Sequence, residues 1–196
     1  MTSIPPGERD RVFAEALERL GEARDGRRRL AILRRTFGTG AGALDAVRVL
    51  AAVVPPGVSD HDAAAYELIA GLYAAYQRGR AAPAPGTGDL GASFARLARI
   101  RGDEGEGPVG RRFAQMLAAD RAGLGDRLLR AVTLLRSADV AIDWAILAGD
   151  VRGWERPERP VQRRWARSFV GGVNASTDAG GAADQTTAVD ESGEDR

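Results

Sequence analysis

A chain of 196 residues with 44% apolar and 28% charged side chains has the make-up of a soluble globular protein, with material for one sizeable core or two small ones. It has no apolar run near the roughly 18 residues that span a bilayer, no secretory-signal pattern in MTSIPPGERD, and no Cys; a disulfide framework and a thiolate zinc site are excluded, and a cytoplasmic setting fits. The net charge of +1 hides an imbalance: residues 174–196 carry six carboxylates against one Arg, whereas residues 1–173 carry 27 Arg against 21 Asp and Glu.

The first predicted helix covers residues 5–20, with Pro5 and Pro6 in or before its first turn and Val12, Ala16, Leu17 and Leu20 as its apolar stripe. Gly21 and Asp25-Gly26 interrupt it. Arg27–Phe37 places Leu30, Leu33 and Phe37 on one side and Arg28 and Arg35 on the other, and Gly38–Gly42 is a turn. Leu44–Val54 is a short helix that Pro55, Pro56 and Gly57 end. Ser59 or Asp60 caps a longer helix that runs to about Gln77 on Tyr66, Ile69, Leu72, Tyr73 and Tyr76. Arg78–Gly91 then holds two Pro and four Gly, a composition shift that marks either a long loop or the junction of two subdomains.

Beyond it, Phe94, Leu97 and Ile100 predict a helix ending near Arg101, and Gly102–Pro108 is a polar loop. Phe113, Met116 and Leu117 define the next apolar face, and Leu124, Leu128, Ala131, Val132 and Leu135 the one after. Trp144, Leu147, Val151 and Trp154, and then Val161, Trp165 and Phe169, recur at spacings of three and four. Strand-like alternation of β-branched residues is nearly absent. The expected fold is all-α, with eight or nine helices and a disordered acidic tail from about Asn174.

Much chemistry is excluded by what the chain lacks. The chain contains no Lys, hence no GxxxxGK[ST] phosphate loop and no Schiff-base amine. His61 is the one histidine; flanked by Asp60 and Asp62 at a helix start, it reads as part of a cap rather than as a metal ligand, which would need further convergent partners. Gly38-x-Gly40-x-x-Ala43 imitates a dinucleotide fingerprint but follows an Arg-rich helix, not a strand. Asp103, Glu104 and Glu106 lack the spacing of a calcium loop. The three Trp residues, at helical spacing with Leu and Val, read as core rather than as base-stacking platforms, Trp165 as core or interface. No metal or cofactor is expected.

The arginines are the positive signal, since Arg is the better phosphate-binding and stacking cation. At 100° per residue, Arg111 points away from the Phe113–Met116–Leu117 face and Arg112 and Arg121 flank it. Arg130 faces out from the Leu124–Leu135 face, and Arg163 and Arg167 share an outer row with Arg164 at its edge. Two readings follow: solvated faces with local ion pairs to Asp120, Asp126, Glu155 and Glu158, or a nucleic-acid surface. No single helix aligns these cations, so such a surface would be a groove between helices.

RRFAQMLAADR (Arg111–Arg121), LLRSADVAIDWAILAGDVRGW (Leu134–Trp154) and QRRWARSFV (Gln162–Val170), in that order and spacing, resemble the CasB family, the small subunit of the type I-E CRISPR Cascade surveillance complex. ILRRTFG (Ile32–Gly38), AGLYAAY (Ala70–Tyr76) and Leu90-Gly91 extend the likeness over residues 8–171. The resemblance implies a non-catalytic protein of two small helical bundles, here residues 1–85 and 86–173, with the acidic tail at 174–196 outside them. It also implies partners: the backbone and large subunits of Cascade, a second copy of the chain, the guide RNA–target DNA hybrid and the displaced single-stranded DNA, all in antiviral defence. The contacts it points to are Arg34, Arg35, Arg111, Arg112, Arg121, Arg159 and Arg164; Arg130 joins them on outward geometry alone. Ala118 stands where some relatives have a further basic residue. The rival reading is a helical protein–protein adaptor without nucleic-acid contact; an enzyme would need a nucleophile–base or metal constellation.

Overall fold

Nine helices make up the computed structural model, which describes residues 6–36, 44–78 and 86–184. They are α1 (Pro6–Glu22), α2 (Gly26–Thr36), α3 (Leu44–Ala51), α4 (Asp60–Tyr76), α5 (Leu90–Ile100), α6 (Pro108–Leu117), α7 (Arg121–Ser137), α8 (Trp144–Arg152) and α9 (Pro160–Asp184). No strand occurs among the described residues. Pro5, Phe37, the turn Gly38–Gly42, Ala43, part of the Pro/Gly junction (79–85) and the end of the acidic tail (185–196) lie outside them.

The fold is arranged around α4. Ser59 caps it by accepting the Asp62 N–H at 3.2 Å. Ala65, Tyr66, Ile69, Ala70, Leu72, Tyr73, Ala74 and Tyr76 are all buried, so the helix is apolar nearly all round, as an interior helix must be. It packs against α1, α2, α7 and α8. Helices α7 and α8 follow the Pro/Gly junction in sequence, yet α7 lies on α4 and α8 on both α1 and α4. A continuous core therefore runs from Phe13 to Val173. All three Trp residues belong to it: Tyr73 and Tyr76 meet the Trp144 ring edge-on at 5.4 and 5.6 Å, and Trp154 tilts against Trp165 at 5.1 Å.

Several expected faces rotate or shorten. The buried stripe of α1 is Asp10, Phe13, Leu17 and Leu20, while Val12 is 39% exposed; spacings of three and four starting at Asp10 bypass it. Ile100 is 63% exposed because the chain leaves the core at Arg101 and turns through Gly102, whose φ is +60°. The polar loop that follows is an anchored turn. Its Asp103 carboxylate accepts the backbone N–H groups of Gly105, Gly107 and Val109 at 2.7–3.0 Å and so opens α6. Helix α9 runs on past its last buried anchor, Val173, into the acidic tail.

The tightest seam joins α5 to α9. A Cβ at Gly91 would overlap the Trp165 carbonyl, so the two backbones touch there. Gly91→Ala is expected to lower the urea unfolding free energy by about 1–3 kcal/mol, the usual cost of overpacking. Gly171, also in α9, faces open space, and Gly171→Ala should hold or slightly raise stability. Equal stabilities for the two variants would contradict the seam.

Candidate nucleic-acid interface

Packing α6 against α7 and α5 leaves a groove of about 650 Å³. Phe94, Met116, Ala131 and Leu134 line its apolar part, and Arg112, Gln115, Arg127, Arg130, Thr133 and Ser137 its polar part, with no carboxylate among them. Arg112 and Arg130 are exposed and Arg127 is half-buried. None of the three is bonded to a described residue, which leaves their N–H donors for something else. Arg127 and Arg130 are three apart on α7 and share a face. Arg111 is exposed at the start of α6, with Nη1 donating to the Glu106 carbonyl at 3.1 Å. At the far end, Arg101 Nη2 donates to Ser137 Oγ at 3.3 Å.

A second basic cluster sits where α4 ends. Arg34 Nη1 donates to the Ala74 carbonyl at 3.2 Å and Arg136 Nη1 to the Ala75 carbonyl at 3.3 Å. Cations are favoured there by the negative end of the helix dipole. Burial first, then repulsion from Arg78, Arg136 and Arg35, pulls Arg34 below the usual guanidinium range, though it stays charged. Arg35 is exposed beside it. Four arginines from α2, α7 and the end of α4 thus concentrate charge at one place.

The remaining predicted contacts turn inward to differing degrees. Arg121 is not outward-facing: it is half-buried, and Nη1 donates to the Val151 carbonyl at 3.0 Å, finishing the C-terminal end of α8. Counting its angle from the α6 face fails because α6 stops at Leu117 and Arg121 begins a new helix. Arg159 is exposed and its guanidinium holds the Leu117 carbonyl. Arg164 pairs with Asp150 and, at 3.4 Å, with Asp89. Asp150 also accepts the Trp165 indole N–H at 2.6 Å, and Asp89 accepts Ser168 Oγ at 2.8 Å and the Ala92 N–H at 3.0 Å. Burial raises Asp150, with Arg164 and Trp165 opposing; burial alone would lower Arg164, but Asp150 and Asp89 outweigh it. Arg164 is a tie between α5, α8 and α9.

Sequence reasoning missed Arg152. At the end of α8, its Nη1 donates to Asp10 Oδ1 at 2.6 Å and its Nε to Asp62 Oδ1 at 2.8 Å. Tyr66 donates its hydroxyl to the same Asp10 oxygen at 2.8 Å, and burial, reinforced by Asp10, pushes the phenol up to about 12. No local pattern joins residues 142 and 90 positions apart. His61 lies at the rim of this network, Nε2 being 3.3 Å from the Arg152 carbonyl. Among the described residues no group of three His, Asp or Glu is placed to hold a metal ion, and no helix is long and apolar enough to cross a membrane. Arg127 was also missed, although its spacing from Arg130 was readable.

The family profile of the CRISPR-associated protein Cse2 matches residues 9–169. A CRISPR-associated protein Cse2 from Thermus thermophilus is 36% identical over 107 residues, 55% of this chain; the match spans only 56% of that relative's length. The crystal structure of a Cse2-family protein, also from Thermus thermophilus, is similar at a TM-score of 0.67 and 30% identity, covering 86% of this chain and 99% of that one. A chain of a CRISPR RNA-guided surveillance complex shares the fold at a TM-score of 0.70 and 23% identity, covering 90% of this chain and 99% of that one.

Proposed function

Because the chain belongs to the CRISPR-associated Cse2 family, we propose that it is the non-catalytic small subunit of a type I-E Cascade ribonucleoprotein, binding nucleic acid without sequence preference and stabilising the R-loop. The observation that carries the reading is the α6–α7 groove, whose Arg112, Arg127 and Arg130 have no internal partner among the described residues and whose lining holds no carboxylate. Cations that brace the fold are paired with carboxylates, as the largely enclosed Arg152 and the more exposed Arg164 are; these three are left for an external anion. Guide-directed invasion exchanges one duplex for a hybrid of similar stability, so modest contacts to phosphates can tip it. The Arg34–Arg35 cluster is proposed as a second contact with the same complex. Arg111 extends the groove, Arg121 and Arg164 contribute mainly by holding its walls, and Arg159 stands exposed at the end of α6. The other Cascade subunits, a second copy of the chain, the guide–target hybrid and the displaced strand are the proposed partners.

Each phosphate contact to a single strand contributes about −0.7 to the log–log dependence of affinity on salt. Three groove arginines therefore predict a slope of about −2 in filter binding of a single-stranded oligonucleotide. A flat salt dependence would favour the adaptor reading instead.

A further inference from the structure

Where α6 ends, a separate cavity of about 340 Å³ opens between the α6–α7 turn and the α8–α9 loop, with Ala118 at its edge and Trp154 among its lining. Its most telling residue is Gln162, which is 6% exposed. The amide nitrogen donates to the Trp154 carbonyl at 2.9 Å, but Oε1 is buried and, among the described residues, has no partner. An unsatisfied buried acceptor is costly and calls for a donor. The loop over this cavity is strained as well. Glu158 and Arg159 both adopt left-handed φ values, 64° and 53°, although neither is glycine. That turn sets the Arg159 guanidinium on the Leu117 carbonyl at the cavity's edge. Arg156, also lining the cavity, is exposed and its guanidinium has no partner among the described residues.

We infer that this cavity receives one unstacked nucleotide of a single strand, its phosphate against Arg156 and Arg159 and an N–H of its base donated to Gln162 Oε1, which a turn of the Gln162 side chain uncovers to the cavity. The inference rests on the nucleic-acid reading above and deepens it. Gln115 and Met116 line the groove, and Ala118 and Ala119 line the cavity, less than one helical turn further on. A strand lying in the groove along α6 thereby reaches the cavity. Asp120 and Glu155 also line it, which disfavours a purely anionic ligand and tolerates one carrying N–H donors. Pairing occupies the ring N–H of thymine and guanine, and stacking keeps the remaining amino N–H groups inside the grooves, whereas an unpaired, unstacked base can bring its N–H edge into a pocket. Every base has at least one such donor, so the contact discriminates single from double strands without reading sequence.

The test uses fluorescence anisotropy at low salt with the full chain, a labelled oligothymidylate, and the same strand built from N3-methylthymidine, which has no N–H on the base edge. The unmodified strand is expected to bind about five-fold tighter, the worth of one net hydrogen bond. Gln162→Met should erase that ratio. So should Ala118→Phe, which obstructs the cavity from an exposed position and leaves Gln162 bonded as it is. A ratio of one in the unaltered protein overturns the inference; a ratio that survives in both variants also overturns it. Arg112→Glu/Arg130→Glu separates the two ideas. It should weaken both strands alike and keep the ratio, and if it weakens neither, the groove reading fails while the ratio still decides the cavity.

Discussion

Arg152→Met is expected to lower the unfolding free energy by about 3–5 kcal/mol, a large share of the roughly 5–15 kcal/mol that holds a domain together. The side chain is 13% exposed and answers two carboxylates, Asp10 at 9% and Asp62 at 22%. Methionine fills much of the volume but leaves the Asp10 carboxylate in the interior without its cation, and among the described residues only the Tyr66 hydroxyl still donates to it. Urea unfolding should show the loss as a lower midpoint with an unchanged slope. Two controls locate the cause. Adding Asp10→Asn should recover part of the loss, because the uncompensated charge goes with it. The exposed pair Arg29–Asp25 should cost less than about 1 kcal/mol when broken. An equally small loss at Arg152 would mean that α8 is held to α1 and α4 by apolar packing alone.

Reversing the groove charges, Arg112→Glu, Arg127→Glu and Arg130→Glu together, should reduce single-strand affinity about a hundred-fold or more at low salt and shorten the R-loop lifetime of the assembled complex. Charge-assisted hydrogen bonds are worth about 1.5–3 kcal/mol each, so two lost contacts would suffice before repulsion is added. The folded state should be almost unaffected, since none of the three is bonded to the rest of the described chain. Thermal unfolding checks that directly. Arg121 belongs in a different experiment: Arg121→Glu removes the donor that holds the Val151 carbonyl and puts a negative charge at the C-terminal end of α8, so lost binding could follow from lost structure. An R-loop lifetime unchanged in the groove variant would end the proposed role of these arginines.

The sequence by itself determined what is local. Spacings of three and four located the helices and most of their anchors, from Leu17 and Tyr66 to Trp165, because that periodicity belongs to a single helix and needs no partner. Punctuation by Pro, Gly and Ser59 placed most of the boundaries, and motif order pointed to the family. Outward angles were right for Arg111, Arg112 and Arg130, each in the middle or first turn of a helix whose apolar face was known. They failed for Arg121, whose reference helix had already ended, and put Arg164 at the edge of an outer row without revealing its partners, which are set by how α5 and α8 meet α9. Only the tertiary structure decided which arginines are spent on the fold and which are left for an external partner. Arg152 and Arg127 look alike in sequence; one is enclosed by Asp10 and Asp62 and the other lines an acid-free groove. The difference is made by residues distant in the chain, and helical periodicity, which fixes the direction a side chain leaves its own helix, carries no information about what stands opposite.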